Sequence, residues 1–328
     1  MKAIKTLAMA ALATAIFASC SSEDELAQNN YPMDNVVRIM TSVDGMNTRA
    51  SYGNSTDKLS SFGFCINNAN STTYTYDNVK VTKDGSNWNP ATQMLWQNST
   101  TAVDILAYAP YQETTEDATG KVKIFGKTDY AFSVQADQSD AEDYSSDLIV
   151  FKQTGFTPVS ELNTSKAVEV AFTHLLSQLN LIIELRDQFN TNNNTVTKGF
   201  VTDVKVNGTI ISSKVDFSAS PISVQVDGTQ TAAITPETTG FTPAENATAH
   251  AVFNYSAIVI PQTVAAGNFS ISFKVNNTEY IWTATDAVTF ESGKKHELHL
   301  LVGKDVVQGG AISAKPWGDE TITEKETD

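Results

Sequence analysis

Four histidines, two cysteines and one run of acids are the groups in this 328-residue chain whose types could do chemistry. His296-Glu297-Leu298-His299 sets two histidines three apart. A zinc-protease helix needs them four apart on one face, whereas on a strand a three-residue offset points them to opposite faces. The run therefore reads as a partly exposed strand end. His174 follows an apolar stretch with no serine or cysteine nucleophile pattern beside it, which favours packing through a hydrogen-bonded imidazole over general-base work. Cys65, inside Phe62-Gly63-Phe64-Cys65-Ile66, is expected to be a buried, inert thiol. Asp137, Asp140, Glu142, Asp143 and Asp147 offer hard oxygen ligands, but they lack the glycine and the terminal glutamate of a calcium loop, so a solvated loop is expected. Trp88, Trp96, Trp282 and Trp317 could stack on sugars, although core packing is the commoner use of indoles. With no phosphate loop, paired-carboxylate signature or metal-ligand cluster in the sequence, neither an enzyme nor a cofactor is expected.

Composition narrows the classes further. The 22 Lys+Arg against 37 Asp+Glu give a net charge of −15, and 41% of residues are apolar. Such a chain is neither collagenous, disordered nor a polytopic membrane protein. Nucleic acid is not an expected partner, because a phosphate backbone is held by clustered Lys and Arg. The length suggests two domains, each able to bury its own core.

Lys2 and Lys5 followed by an apolar stretch over 7–17 read as an export signal ending at residue 19. Phe17-Ala18-Ser19-Cys20 resembles a bacterial lipobox, with Phe17 in place of the usual leucine and Cys20 as the acylated new N-terminus. An acidic run over 21–25 then reads as a solvated tether, and it resembles the surface-export signal of Bacteroides-type lipoproteins. Residues 36–45 alternate, with Val37, Ile39, Thr41 and Val43 on one face and Arg38, Met40, Ser42 and Asp44 on the other, predicting a half-buried strand. Residues 46–53 lack any apolar period and predict an exposed loop holding Arg49, one of three arginines.

Beyond this loop, short β-branched and aromatic runs punctuated by Gly, Asn, Asp and Pro predict an all-β protein. Strands are expected at 59–66, 78–82, 103–108, 130–134, 148–152, 168–172, 179–185, 201–206, 213–217, 257–260, 269–275, 280–283 and 296–302. Their spacing suggests sandwiches with Greek-key connections. Residues 153–165 combine Gly, Pro and polar residues and are the expected linker. The expected division is 1–19 leader, 20–49 tether and first strand, 50–163 N-terminal sandwich and 164–328 C-terminal sandwich.

A set of short motifs now carries a resemblance. Trp88-Asn89-Pro90, Leu95-Trp96, and Val103 through Pro110 come first, then Gln138-Ser139 with Ser146-Asp147-Leu148. Val170 through Leu179, Ile260-Pro261-Gln262, Phe290 through Lys294 and Lys315-Pro316-Trp317 complete the series. In this order, behind a lipobox, they resemble the fimbrillin family of Bacteroidota. The resemblance implies two transthyretin-like β-sandwich domains in tandem. It also implies a fimbrial subunit exported as a lipoprotein to the outer membrane surface, joined to other subunits by donor-strand exchange and serving adhesion to a host or bacterial surface ligand. In that family an arginine-specific protease cuts after the first strand, and the matching bond is Arg49-Ala50. Arg49 read without the resemblance is an ordinary loop residue.

Stalk subunits of the family donate a C-terminal strand, and the tail after Trp317 is short, charged and has only Ile322 as a strong apolar residue. It fills a groove poorly unless 306–314 peels away with it, so a tip or accessory subunit fits at least as well. The alternative class is an outer-membrane lipoprotein, anchored through Cys20, that binds glycans and never polymerises.

Overall fold

Period-two apolar runs dominate the chain, and the computed structural model, which describes residues 30–43, 56–113, 123–190 and 196–317, is β apart from short helical turns. The first strands are β1 (Ile39–Val43), β2 (Ser61–Asn67), β3 (Tyr76–Asp84), β4 (Asn87–Pro90), β5 (Val103–Ala109), β6 (Tyr130–Ser133) and β7 (Ile149–Phe156). A single-turn helix, α1 (Pro158–Glu161), leads to β8 (Val168–His174), β9 (Ser177–Leu185), β10 (Val201–Ile210), β11 (Ser212–Asp216), β12 (Ser223–Val226), β13 (Thr231–Ile234) and β14 (Glu237–Thr242). The last are β15 (Ala251–Val259), β16 (Gln262–Val264), β17 (Ser270–Val275), β18 (Thr278–Thr283), β19 (Val288–Phe290), β20 (Lys294–Val302), β21 (Val307–Gly309) and β22 (Ser313–Pro316).

Seven strands in the order β1-β8-β7-β5-β2-β3-β4 form the first sheet. In β2 the residues from Phe62 to Ile66 are all buried rather than alternating, because this sheet is covered on both faces. Phe62, Phe64 and Ile66 join Ile105, Ala107, Val168, Val170 and Phe172 in one core. Cys65, Leu106, Tyr108 and Val150 point the other way, into a second core with Tyr130, Phe132, Val215 and Phe217. Gly63 faces Tyr108 across the ladder, and a Cβ there would lie 2.3 Å from the Tyr108 ring. The missing side chain lets the ring lie across the strand, where its hydroxyl donates to Asn78 Oδ1 at 2.7 Å.

The first sheet folds back on itself. β7 and β8 pair only at Ile149–His174 and Val150–Thr173, and then diverge. Phe172 of β8 meets Phe62 of β2 edge-on at 5.3 Å, although two strands separate β8 from β2 along the ladder. The result is a sandwich: β1 and β8 lie over the leaf formed by β7, β5, β2, β3 and β4, with the first core between.

In the second half, a six-stranded sheet β14-β15-β9-β20-β21, with β22 also on β20, shares the second core with the sheet β13-β10-β17-β18. Leu179, Leu181, Ile183 and Leu185 of β9 alternate inward opposite Val206 of β10 and Ile271, Phe273 and Val275 of β17. β16 and β19 form a pair, and β12-β11-β6 form a small three-stranded sheet.

The fold is all-β and sandwich-built, as the strand spacing predicts. Two expectations are corrected. Residues 153–165 do not link the halves: 153–156 extend β7, 158–161 form α1, and the chain returns to the same sheet as β8. Gly155, at φ +70, and Pro158 signal a turn within one sandwich. The chain leaves the first sheet between His174 and Ser177, and β6 pairs with β11 across about 80 residues of sequence. The first strand also begins at Ile39 rather than at 36, with Val36 in a lone bridge to Leu95, and positions 44 and 45 lie outside the described residues.

Candidate functional site

β1 is built by the alternation read from sequence. Val37, Ile39 and Val43 are buried, Thr41 is partly buried on the same face, and Met40 is 47% exposed. β1 runs parallel to β8 with Ile39, Thr41 and Val43 opposite Val168, Val170 and Phe172. Just before it, Val37 N–H donates to the Met94 carbonyl at 3.0 Å and Trp96 N–H to the Asn35 carbonyl at 2.8 Å. The segment entering β1 thereby joins the far side of the sandwich.

Arg38 grips Asp34 through both guanidinium nitrogens, at 3.1 and 2.7 Å, which holds the Asp34 carboxyl at about 2. Both groups are well exposed, so this pair shapes the turn into β1 and adds little stability. The hold on β1 comes from burial, at about 1.5–3 kcal/mol for each fully buried aliphatic side chain.

Because β7 leaves β8 after two residue pairs, β1 is the sole ladder partner of β8 from Val168 to Phe172 among the described strands. Without β1, those five residues would lose their ladder and the first core would lose half of one leaf. The site is thus a groove already filled by a strand of its own chain, lying at the edge of its sheet.

Val37, Ile39, Thr41 and Val43 are brought together in this groove, whereas Cys20, Arg49 and Ala50 lie outside the described residues. The C-terminal tail from 318 onward does so too. Before it, β22 pairs with β20 at the sheet edge and is mostly exposed, while Trp317 is buried and lies flat on His174.

The remaining candidates are placed as follows. His174 Nδ1 lies 2.9 Å from Asp147 Oδ1, both side chains fully buried, so Asp147 does not share the solvent exposure expected of the acidic stretch. His296 is buried and burial lowers its pKa, while His299 projects from the opposite face of β20 to Glu184, 2.6 Å away. Glu184 also bonds His250. Burial opposes ionisation of Glu184, but its bond to His250 and the charge and bond of His299 outweigh burial and lower its pKa. Sequence reading missed this triad because its members lie on β9, on β20 and just before β15, three adjacent strands far apart in the chain.

Cys65 is buried, and burial followed by the nearby Asp77 carboxylate keeps its thiol protonated. Trp96 is buried against Phe156, Trp88 packs edge-on against Phe62, and Trp282 is wedged against Gly309. A cleft of about 610 Å³ opens beside Lys152, whose ammonium donates to the Phe217, Ser218 and Ala219 carbonyls at 2.8–2.9 Å. No cluster of three or more His, Cys, Asp or Glu able to hold a metal occurs among the described residues.

This architecture defines a β-sandwich protein whose first strand, β1, lies at a sheet edge and pairs with β8. The chain belongs to the fimbrillin-like family, whose model matches residues 48–317. That family is one of fimbrial structural and adhesion proteins, not of enzymes, and supports a fimbrial subunit role at the cell surface. The chain is similar in fold to a candidate cell adhesion protein from Bacteroides ovatus ATCC 8483, with TM-score 0.62 and 12% identity over 86% of this chain and 97% of that one. It is also similar to a candidate cell adhesion protein from Bacteroides uniformis ATCC 8492, with TM-score 0.56 and 17% identity over 87% and 100% of the two chains. A fimbrial protein from Bacteroides vulgatus ATCC 8482 matches with TM-score 0.51 and 17% identity over 85% and 99%. No curated protein matches the chain in sequence.

Proposed function

We infer that this chain is a subunit of cell-surface fimbriae that is exported as a lipoprotein on Cys20, matured by cleavage at Arg49-Ala50, and joined to its neighbours by strand exchange. The observation that carries this reading is the pairing of β8, whose residues Val168 to Phe172 have β1 alone as ladder partner among the described strands. A cut after β1 separates the lipid anchor from the sandwich and frees the strand to leave. The vacated groove then offers unpaired backbone and apolar side chains to an extended segment of another subunit.

The anchored glycan-binding alternative needs a flat exposed indole. Trp96 and Trp317 are buried, and Trp88 and Trp282 are packed against neighbouring groups. The polymer reading is tested by N-terminal sequencing and intact mass on protein sheared from cells, beside the membrane-retained pool. Chains beginning at Ala50 in heat-labile high-mass ladders are expected. Acylated, monomeric Cys20 chains alone would overturn it.

A further inference from the structure

One member of the inward row of β1 does not match its surroundings. The Ile39–Val168 and Val43–Phe172 pairs place apolar groups against apolar groups. Between them, Thr41 faces Val170, and its hydroxyl is shut off from solvent with no hydrogen-bond partner among the described residues. A hydroxyl so placed loses its hydration and gains nothing in return. Valine has the same branched shape without that loss, so the two residues are not equivalent in a core. Threonine keeps the χ1 stiffness that suits a strand, which leaves the form of β1 intact and weakens only its hold.

We propose that Thr41 makes β1 the weaker occupant of its own groove, and that the groove selects an incoming strand of another fimbrial subunit carrying valine or isoleucine at the register facing Val170. This rests on the reading that β1 is exchanged. The groove supplies its own template for the guest: apolar residues at the registers of Val37, Ile39 and Val43, with free choice at the solvent-facing positions of Met40 and Ser42. The native strand satisfies every inward position but one. A guest that satisfies all of them displaces it without needing a longer contact.

The test uses the full chain after cleavage at Arg49, verified by N-terminal sequencing, and three fluorescent peptides covering 36–43. One is unchanged, one carries Thr41→Val and one carries Ser42→Val, which adds the same apolar character on the exposed face. The Thr41→Val peptide is expected to displace the native strand and bind about tenfold more tightly than the unchanged peptide. The Ser42→Val peptide is expected to match the unchanged one. Equal binding of all three, or equal gains from both substitutions, overturns the role of Thr41 and leaves strand exchange standing. Retention of residues 36–43 with no peptide bound overturns the exchange reading and this inference with it. Placed in the chain itself, Thr41→Val is expected to slow capture of the unchanged peptide by about tenfold, and an unaltered rate counts against the proposal.

Discussion

The indole of Trp317 lies on the imidazole of His174 with ring centroids 4.0 Å apart and planes 2° from parallel. His174 ends β8, the strand that carries β1, and Trp317 follows β22 at the far end of the described chain. This stack ties the C-terminal edge strand to the end of the first sandwich. With β22 itself mostly exposed, Trp317 is the main apolar anchor of that edge.

Trp317→Ala is expected to cost about 3–5 kcal/mol, the range for removing a buried aromatic side chain. The loss should be greatest in hydrogen-exchange protection of 313–316, while β2 and β5 keep theirs. Uniform loss across both sandwiches would contradict a local anchor.

Asp147→Ala removes the partner that bonds His174 at 2.9 Å in a fully buried pair. A cost of about 1–3 kcal/mol is expected in urea unfolding, because the buried imidazole loses that hydrogen-bond partner. Asp147→Asn keeps the shape and should cost less. Combined with Trp317→Ala, Asp147→Ala should show non-additivity, since both groups contact the same imidazole.

Ile39→Ala on the inward face of β1 should destabilise the first sandwich by about 2–5 kcal/mol, whereas Met40→Ala on the outward face should fall within about 0.5 kcal/mol of wild type. Denaturant midpoints of the two variants check the assigned faces directly.

Gly63→Ala forces a Cβ within 2.3 Å of the Tyr108 ring and 2.8 Å of Asn78 Oδ1. Loss of the Tyr108–Asn78 hydrogen bond and of about 1–3 kcal/mol is expected from such crowding. A melting curve and the near-ultraviolet tyrosine signal would report both.

Stability should fall with acid in two windows. His296 is held neutral by burial, so the unfolded chain takes up its proton first, and stability present above the ordinary histidine pKa of about 6.5 is lost as pH falls through the lower folded value. Glu184 also has a lowered folded pKa, so its contribution is present above the ordinary glutamate range and is lost as pH falls through the folded value. Urea midpoints from pH 7 to 3 should show a shallower first window in His296→Gln and a shallower second window in Glu184→Gln. Unchanged slopes would remove these groups from the acid response.

The alternation of Val37, Ile39, Thr41 and Val43 was readable from sequence because a pleated strand with one buried face imposes period two on its own residues. The expected strand at 103–108 is readable for a related reason, since a run covered on both faces must be apolar throughout. Edge strands such as β12, β21 and β22 escaped notice because exposed edges place little demand on side-chain type. Gly155 and Pro158 carried a true turn signal, but a turn inside a sandwich and a turn between two sandwiches use the same residues. Which partners meet across the fold was beyond reach: β1 with β8, β6 with β11, and His174 with both Asp147 and Trp317. Local sequence determines what a segment can bury and which way its side chains alternate. Only the tertiary structure decides that β8 depends on β1, because that dependence arises where β7 turns away to close the sandwich.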